Sequence, residues 1–241
     1  MSADDASVSS VADGGAVDEP RPTMEVAEER GSTEYDRGIS FFDTVYAFAA
    51  TLLIANVDPP PLEQWHSLES LAQSDLAIQL FGLALSFTVI AVMWRANVRI
   101  TRQLRGLDGV TITLNLLAAG LVVLLPFTTQ GISDSRTTML ALPTAVYAIN
   151  VALASLVQIV VFQVGRARGL ERVPTTRGQN LPLLIDELIT PLWFLLSVPI
   201  ALWDASIAKW FWMGLLVIGP ISGAWAARRS ASAGADSADL T

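Results

Sequence analysis

The stretch RGISFFDTVYAFAATLLIANVD, Arg37 to Asp58, holds an apolar run from Ile39 to Val57. At about 1.5 Å rise per residue, a helix of this length crosses the ~30 Å hydrocarbon core of a bilayer. It is not a plain anchor. Asp43 sits in its first third, and the hydroxyls of Thr44, Tyr46 and Thr51 are spread along it. Groups of this kind are costly against lipid. One face of the helix therefore looks at protein or water, and the rest of the chain is expected to pack around it.

Five further apolar runs follow, at about 76–94, 110–128, 139–164, 188–203 and 210–227. Only 16% of the 241 residues are charged, against about 25% in soluble domains. The expected fold class is all-α, a polytopic membrane protein with six transmembrane helices. Asp186 and Glu187 place the start of the fifth span after them, at the interface. Arginines cluster in alternate connections: Arg95, Arg99, Arg102 and Arg105, then Arg166, Arg168, Arg172 and Arg177, then Arg228 and Arg229. The opposite loops keep only Arg136 and Lys209. By the positive-inside rule both termini are expected in the cytoplasm, with the protein multi-pass in the cell membrane.

Residues 1–36 are polar and acidic and lack apolar periodicity, so they are expected to be a disordered tail. They supply much of the net charge of -8. Residues 37–229 form the six-helix domain, and 230–241 a short polar tail. Cysteine is absent and His66 is the single histidine, read as a solvated loop residue. This inventory excludes a catalytic triad with a cysteine nucleophile, a histidine cluster for zinc and a disulfide framework. There is no P-loop, HExxH, dinucleotide turn or TVGYG carbonyl filter. No basic, aromatic-interleaved patch points to nucleic acid. The chain is expected to be no enzyme, and to use no metal site and no cofactor.

On the first helix, Thr44, Phe48, Thr51 and Ala55 recur at i, i+4, i+7 and i+11 and so share a stripe, with Leu52 beside it. Two small hydroxyls, an alanine and one large ring suit a pore wall with a plug at Phe48. Spacing alone favours ordinary packing, because Thr and Ala also let helices approach closely. Asp43 lies about one turn inside the span, where a carboxylate marks a functional site by default. Asn97, Asn115 and the Trp94 indole stand at a similar depth, with Arg37 and Arg99 nearby. A hydrogen-bonded cluster of Asp43, Trp94, Asn97 and Asn115 would satisfy these groups, and architecture explains it more simply than ion contact. Asn150 and Gln158, eight apart, share a face of the fourth span and read as interhelical hydrogen-bonding groups.

Arg37-x-x-x-Phe41-x-Asp43, then Ala47 and Thr51-Leu52-Leu53, resembles the signature of the transmembrane protein 175 family of potassium channels. Trp94 with Asn97, Leu114-Asn115-Leu116 and Leu125-Pro126-Phe127 are similar to further elements of that family. The resemblance implies a six-helix subunit that forms a homotetramer, with the first helix lining a central pore. Potassium is the implied permeant ion, and the lipid bilayer and other copies of the chain are the implied partners. It places the constriction at Phe48, with Thr44, Thr51, Leu52 and Ala55 lining the pore. It makes Arg37, Phe41, Asp43, Trp94, Asn97 and Asn115 a supporting network. Phe42 stands where the family has Ser, and Asn97 where it has His, which removes a titratable group. A secondary carrier is the alternative reading, although the midplane is poor in charge; a non-transporting membrane scaffold is the third.

Overall fold

The computed structural model describes residues 28–29, 31–72 and 74–238. Most of the acidic tail expected over 1–36 lies outside the described residues, as do 239–241. Helix α1 spans Thr33–Leu52, so it begins within the range assigned to the tail. The Ser32 hydroxyl caps it by accepting from the Tyr35 amide at 3.1 Å, and Glu34 and Asp36 complement the positive end of its dipole. The helix tightens into a 3-10 turn over Leu53–Asn56 before the prolines that follow. A second 3-10 turn, Leu62–His66, and the short helix α2, Leu68–Ala72, make up the first loop.

Helix α3, Leu76–Gln103, runs well past Trp94 and carries Arg95, Arg99 and Arg102 on its last turns rather than in a loop. The third apolar run is two helices, α4 (Gly109–Val123) and α5 (Leu125–Ser133), interrupted at Leu124. Pro126 in the first turn of α5 explains the break, since its ring cannot continue the α4 ladder. Helix α6 spans Ala141–Ala167. Helix α7 spans Arg177–Trp203, so the helix itself begins before the span expected from Leu188, and Asp186 and Glu187 lie inside it. The Thr176 and Gln179 capping box starts it there. The last apolar run is also broken, into α8 (Ala205–Trp212) and α9 (Leu215–Ala238), so helix continues through part of the tail expected at 230–241.

Among the described residues, five continuous or nearly continuous helical segments are long and apolar enough to span a membrane, six if the bent α8–α9 pair, at 40°, is one span. The α8–α9 corner depends on Gly214. A Cβ there would lie 2.7 Å from the Trp193 ring, which stacks on Phe211 with centroids 4.1 Å apart. Gly82 likewise lets α3 meet α5, since a Cβ would come within 2.6 Å of the Ser133 Cβ.

Helix α6 is the hub. It packs against α3, α4, α5 and α7, and Tyr147, Ala148, Val151, Ala152 and Ala154 are all completely buried. At one end of the bundle, Asp108 caps α4 and pairs with Arg168 at the end of α6. Beside it, Glu28–Glu29 (β1) pairs antiparallel with Gly106–Leu107 (β2). The Arg105 and Arg172 amides bond the Leu170 and Gln103 carbonyls at 2.9 and 2.8 Å.

Candidate pore face and its supporting network

Helix α1 has two faces. Phe42, Tyr46, Ala49 and Leu53 are buried and form the stripe that meets the rest of the bundle. Thr44, Phe48, Thr51, Leu52 and Ala55 lie on the opposite side, all exposed; Phe48 is 64% exposed. Close packing of the kind that spacing favoured for this stripe does not occur against its own subunit. No part of the described chain covers it.

The hydroxyls on this face are already engaged as donors. Thr44 Oγ1 donates to the Ser40 carbonyl at 2.7 Å, and Thr51 Oγ1 to the Phe48 carbonyl at 2.8 Å. With the proton tied to the backbone, each oxygen keeps its lone pairs for the space beside the helix. Leu52 ends the α-helix and Ala55 sits in the 3-10 turn beyond it. Asn56 anchors that turn by donating to the Pro126 carbonyl at 2.7 Å.

The expected polar cluster forms as two pairs rather than one. The Trp94 indole donates to Asp43 Oδ1 at 2.8 Å near the surface. Deeper, Asn97 Nδ2 donates to Asn115 Oδ1 at 2.7 Å. Tyr46 links this second pair to α6, because its hydroxyl accepts from Asn97 Nδ2 at 3.4 Å and from Gln158 Nε2 at 2.7 Å. Gln158 Nε2 also donates to the Met93 carbonyl at 3.0 Å. Four helices, α1, α3, α4 and α6, are thus tied at one level behind the exposed stripe. The Asn115 amide nitrogen is buried there with no hydrogen-bond partner among the described residues, a cost a buried polar group rarely carries.

Two motif residues stay outside this network. Phe41 is exposed and touches Phe42 edge-on, with centroids 5.7 Å apart; Phe42 holds the buried position. Arg37 lies exposed in a shallow groove with Thr33, Asp36, Ser40, Phe41 and Thr44, and makes no hydrogen bond to Asp43. Arg99, offered as a partner for Asp43, instead pairs with Glu187 at 3.4 Å. Tyr46 and Gln158 are the members that motif reading missed. The signal for Tyr46 was present, since Phe42, Tyr46, Ala49 and Leu53 repeat at the same helical spacing as the stripe opposite. Gln158 had been read as an interhelical hydrogen-bonding group, without its partner. Asn150, its companion, reaches Thr128 Oγ1 on α5 at 3.5 Å.

No group of three or more His, Cys, Asp or Glu side chains converges among the described residues. At the end of the bundle, burial works against the charge of Asp108. The Thr111 amide and hydroxyl, with the Arg168 guanidinium, outweigh it and hold the carboxyl below its ordinary value.

Residues 37–126 match the family model described as endosomal/lysosomal potassium channel TMEM175. The matched stretch contains the exposed stripe, the Asp43–Trp94 pair and the Asn97–Asn115 pair. The whole fold is similar to a crystal structure described as a lysosomal potassium-selective channel TMEM175 homolog from Chamaesiphon minutus. The TM-score is 0.64 at 19% sequence identity, covering 81% of this chain and 99% of that one. No curated protein matches by sequence.

Proposed function

We infer that this chain, TMEM175-like in sequence over residues 37–126 and in its fold, is the subunit of a potassium-permeable cation channel of the cell membrane. It works as a homotetramer with α1 around a central pore and both termini in the cytoplasm. Residues 37–229 supply the channel domain, and no catalytic step or cofactor enters. One observation carries the reading: α1 sinks one stripe into the bundle and leaves the opposite one, with two hydroxyls and one large ring, uncovered.

In a four-fold arrangement, Phe48 would bring four rings to the axis. A constriction of this kind closes by dewetting, because a narrow apolar ring gives a hydrated cation nothing in return for its water. The ring faces, negative by their quadrupole, offset part of that cost for a large, weakly hydrated cation more readily than for a small one. Thr44 and Thr51 flank Phe48 about one turn to either side, with their protons committed to Ser40 and Phe48 carbonyls. Their oxygens would present two rings of lone pairs, one before and one after the barrier. The network of Tyr46, Asn97, Asn115 and Gln158 holds the rear of α1 so that this spacing stays fixed.

The test is potassium-gradient flux in liposomes loaded with the purified protein, with sodium in parallel. Phe48→Ala is expected to raise potassium flux at least tenfold and to reduce its excess over sodium flux. Unchanged flux and unchanged discrimination would remove Phe48 from the pathway. Thr51→Val, which keeps shape and loses the oxygen, is expected to lower potassium flux several-fold without opening the pore to sodium.

A further inference from the structure

A cleft of about 660 Å³ lies on the side of the bundle formed by α3, α6, α7 and α9, lined by none of the residues of α1. Along α3 it extends from Phe81 to Arg99, about 27 Å at 1.5 Å per residue. Ala84, Thr88 and Val92, all exposed, form one lip. The walls are mainly apolar, broken by Thr88, Ser155, Gln158, Thr190 and Ser222, and at one end Arg99, Asp186 and Glu187 meet. The cleft opens on the side of the bundle at Ala84, Thr88 and Val92, so its mainly apolar wall lies within reach of membrane lipid.

Charge at the polar end narrows the occupant. Arg99 spans the cleft mouth to Glu187 at 3.4 Å and remains half-exposed, with further N–H donors unused. Asp186 has no hydrogen bond or ion pair to any described residue. Its Oδ2 would lie 3.9 Å from a Cβ at position 223, so the carboxylate reaches toward α9 at Gly223. Intramembrane carboxylates are costly unless paired. The mouth therefore holds one carboxylate in excess beside an arginine with free donors. A second, independent group asks for a partner inside. Ser155 lines the cleft from α6, is only 9% exposed, and its hydroxyl bonds no described residue.

We propose that this cleft is a binding site for one acyl chain of a zwitterionic aminophospholipid. Its ammonium pairs with Asp186, its phosphodiester takes the free N–H groups of Arg99, and an ester oxygen accepts from Ser155. An anionic lipid without an amine satisfies Arg99 but leaves Asp186 facing a phosphate, so it binds less well. The length of the cleft accommodates a chain that starts at the charged end, since one leaflet contributes about half of the ~30 Å hydrocarbon core. The site is separate from the exposed stripe of α1, so it stands whether or not the protein conducts ions.

The test uses the full-length protein purified in detergent and equilibrated with equal amounts of phosphatidylethanolamine and phosphatidylglycerol of the same chains. Native mass spectrometry reads the bound lipid on the intact assembly. The expected result is retention of phosphatidylethanolamine several-fold over phosphatidylglycerol. Asp186→Asn is expected to erase that preference and Asp186→Glu to keep it. Thr88→Trp, which fills the cleft from its exposed lip, is expected to displace both lipids while the melting temperature holds. Equal retention of the two lipids in the wild type would overturn the proposal. So would a preference that survives Asp186→Asn, or a wild-type assembly without bound lipid, which would mean that a neighbouring subunit fills the cleft.

Discussion

Helices α6 and α1 are both long and apolar enough to span a membrane, yet about two-thirds of the most apolar stretch is buried in α6 and less than a quarter in α1. Hydropathy therefore does not say what a span touches. Helix α6 is packed by its own chain on every side but one stripe, where Leu142, Val146, Ile149, Leu153 and Val160 are exposed, and small residues fill the contacts: Ala148, Ala152 and Ala154 are wholly buried. Helix α1 touches its own chain along one stripe only. In a membrane, where lipid is as apolar as a leucine side chain, close fit and hydrogen bonds rather than hydrophobicity decide which faces pack. The α6 surface has both. The outer face of α1 has neither within the subunit, which leaves it for a neighbour, lipid or a pore.

The contrast is sharpest when each helix receives the same insult. Ala152→Phe forces a ring into a filled site on α6, where overpacking costs about 1–3 kcal/mol or more. Ala55→Phe adds the same ring to the uncovered face of α1. The first variant is expected to lose most folded protein, read by size-exclusion and thermal melting. The second is expected to keep its melting temperature and lose flux. If Ala55→Phe unfolded the protein as badly as Ala152→Phe, the outer face of α1 would be a packing surface and the comparison would fail.

A smaller effect is expected where the two helices meet. Gln158→Leu keeps the volume of the α6 side chain but removes the donor to the Tyr46 hydroxyl and the Met93 carbonyl. Leaving buried partners unmade costs about 1–3 kcal/mol, so the melting temperature is expected to fall while the subunits still assemble. Tyr46→Phe is expected to cost less, about 1 kcal/mol, because Gln158 keeps the Met93 carbonyl and Asn97 keeps Asn115. Equal losses from the two variants would mean that the hydroxyl of Tyr46, not the amide of Gln158, joins α1 to the hub.

Much of this architecture was legible in the residues. Apolar runs located every span, and the polar residues inside them, Asp43, Asn97, Asn115 and Gln158, each turned out to bond another helix. What remained hidden has a common cause: sequence gives depth along a helix more readily than direction around it. Asp43 and Asn97 stand at similar depth yet belong to separate pairs, one at the surface and one buried. Phe41 and Phe42 differ by one position, about 100° around the helix, and only Phe42 faces the core. Helix ends escaped for another reason. The charge of Asp186 and Glu187 argued for an interface, yet the Thr176 capping box starts α7 well before them and the helix runs through them, although Pro182, Pro191 and Pro199 each remove an amide from its ladder.

The smallest effect concerns the end of the bundle, where α4 and α6 are joined without α1. Asp108 accepts from the Thr111 amide at 2.9 Å and pairs with Arg168. Losing an N-cap costs about 1 kcal/mol, so Asp108→Ala is expected to lower the melting temperature by a few degrees and leave flux unchanged. Asp108→Asn separates the cap from the charge, since Asn caps about as well. The carboxyl is held below its ordinary value in the folded protein. Its contribution is therefore complete above the unfolded value of about 3.9 and is lost as pH falls through the lower, folded value. Melting measured between neutral pH and pH 3 is expected to fall more steeply for wild type than for Asp108→Asn, with the two curves converging at the acid end. Parallel curves would show that Thr111 alone, not the ion pair with Arg168, holds this end of the hub.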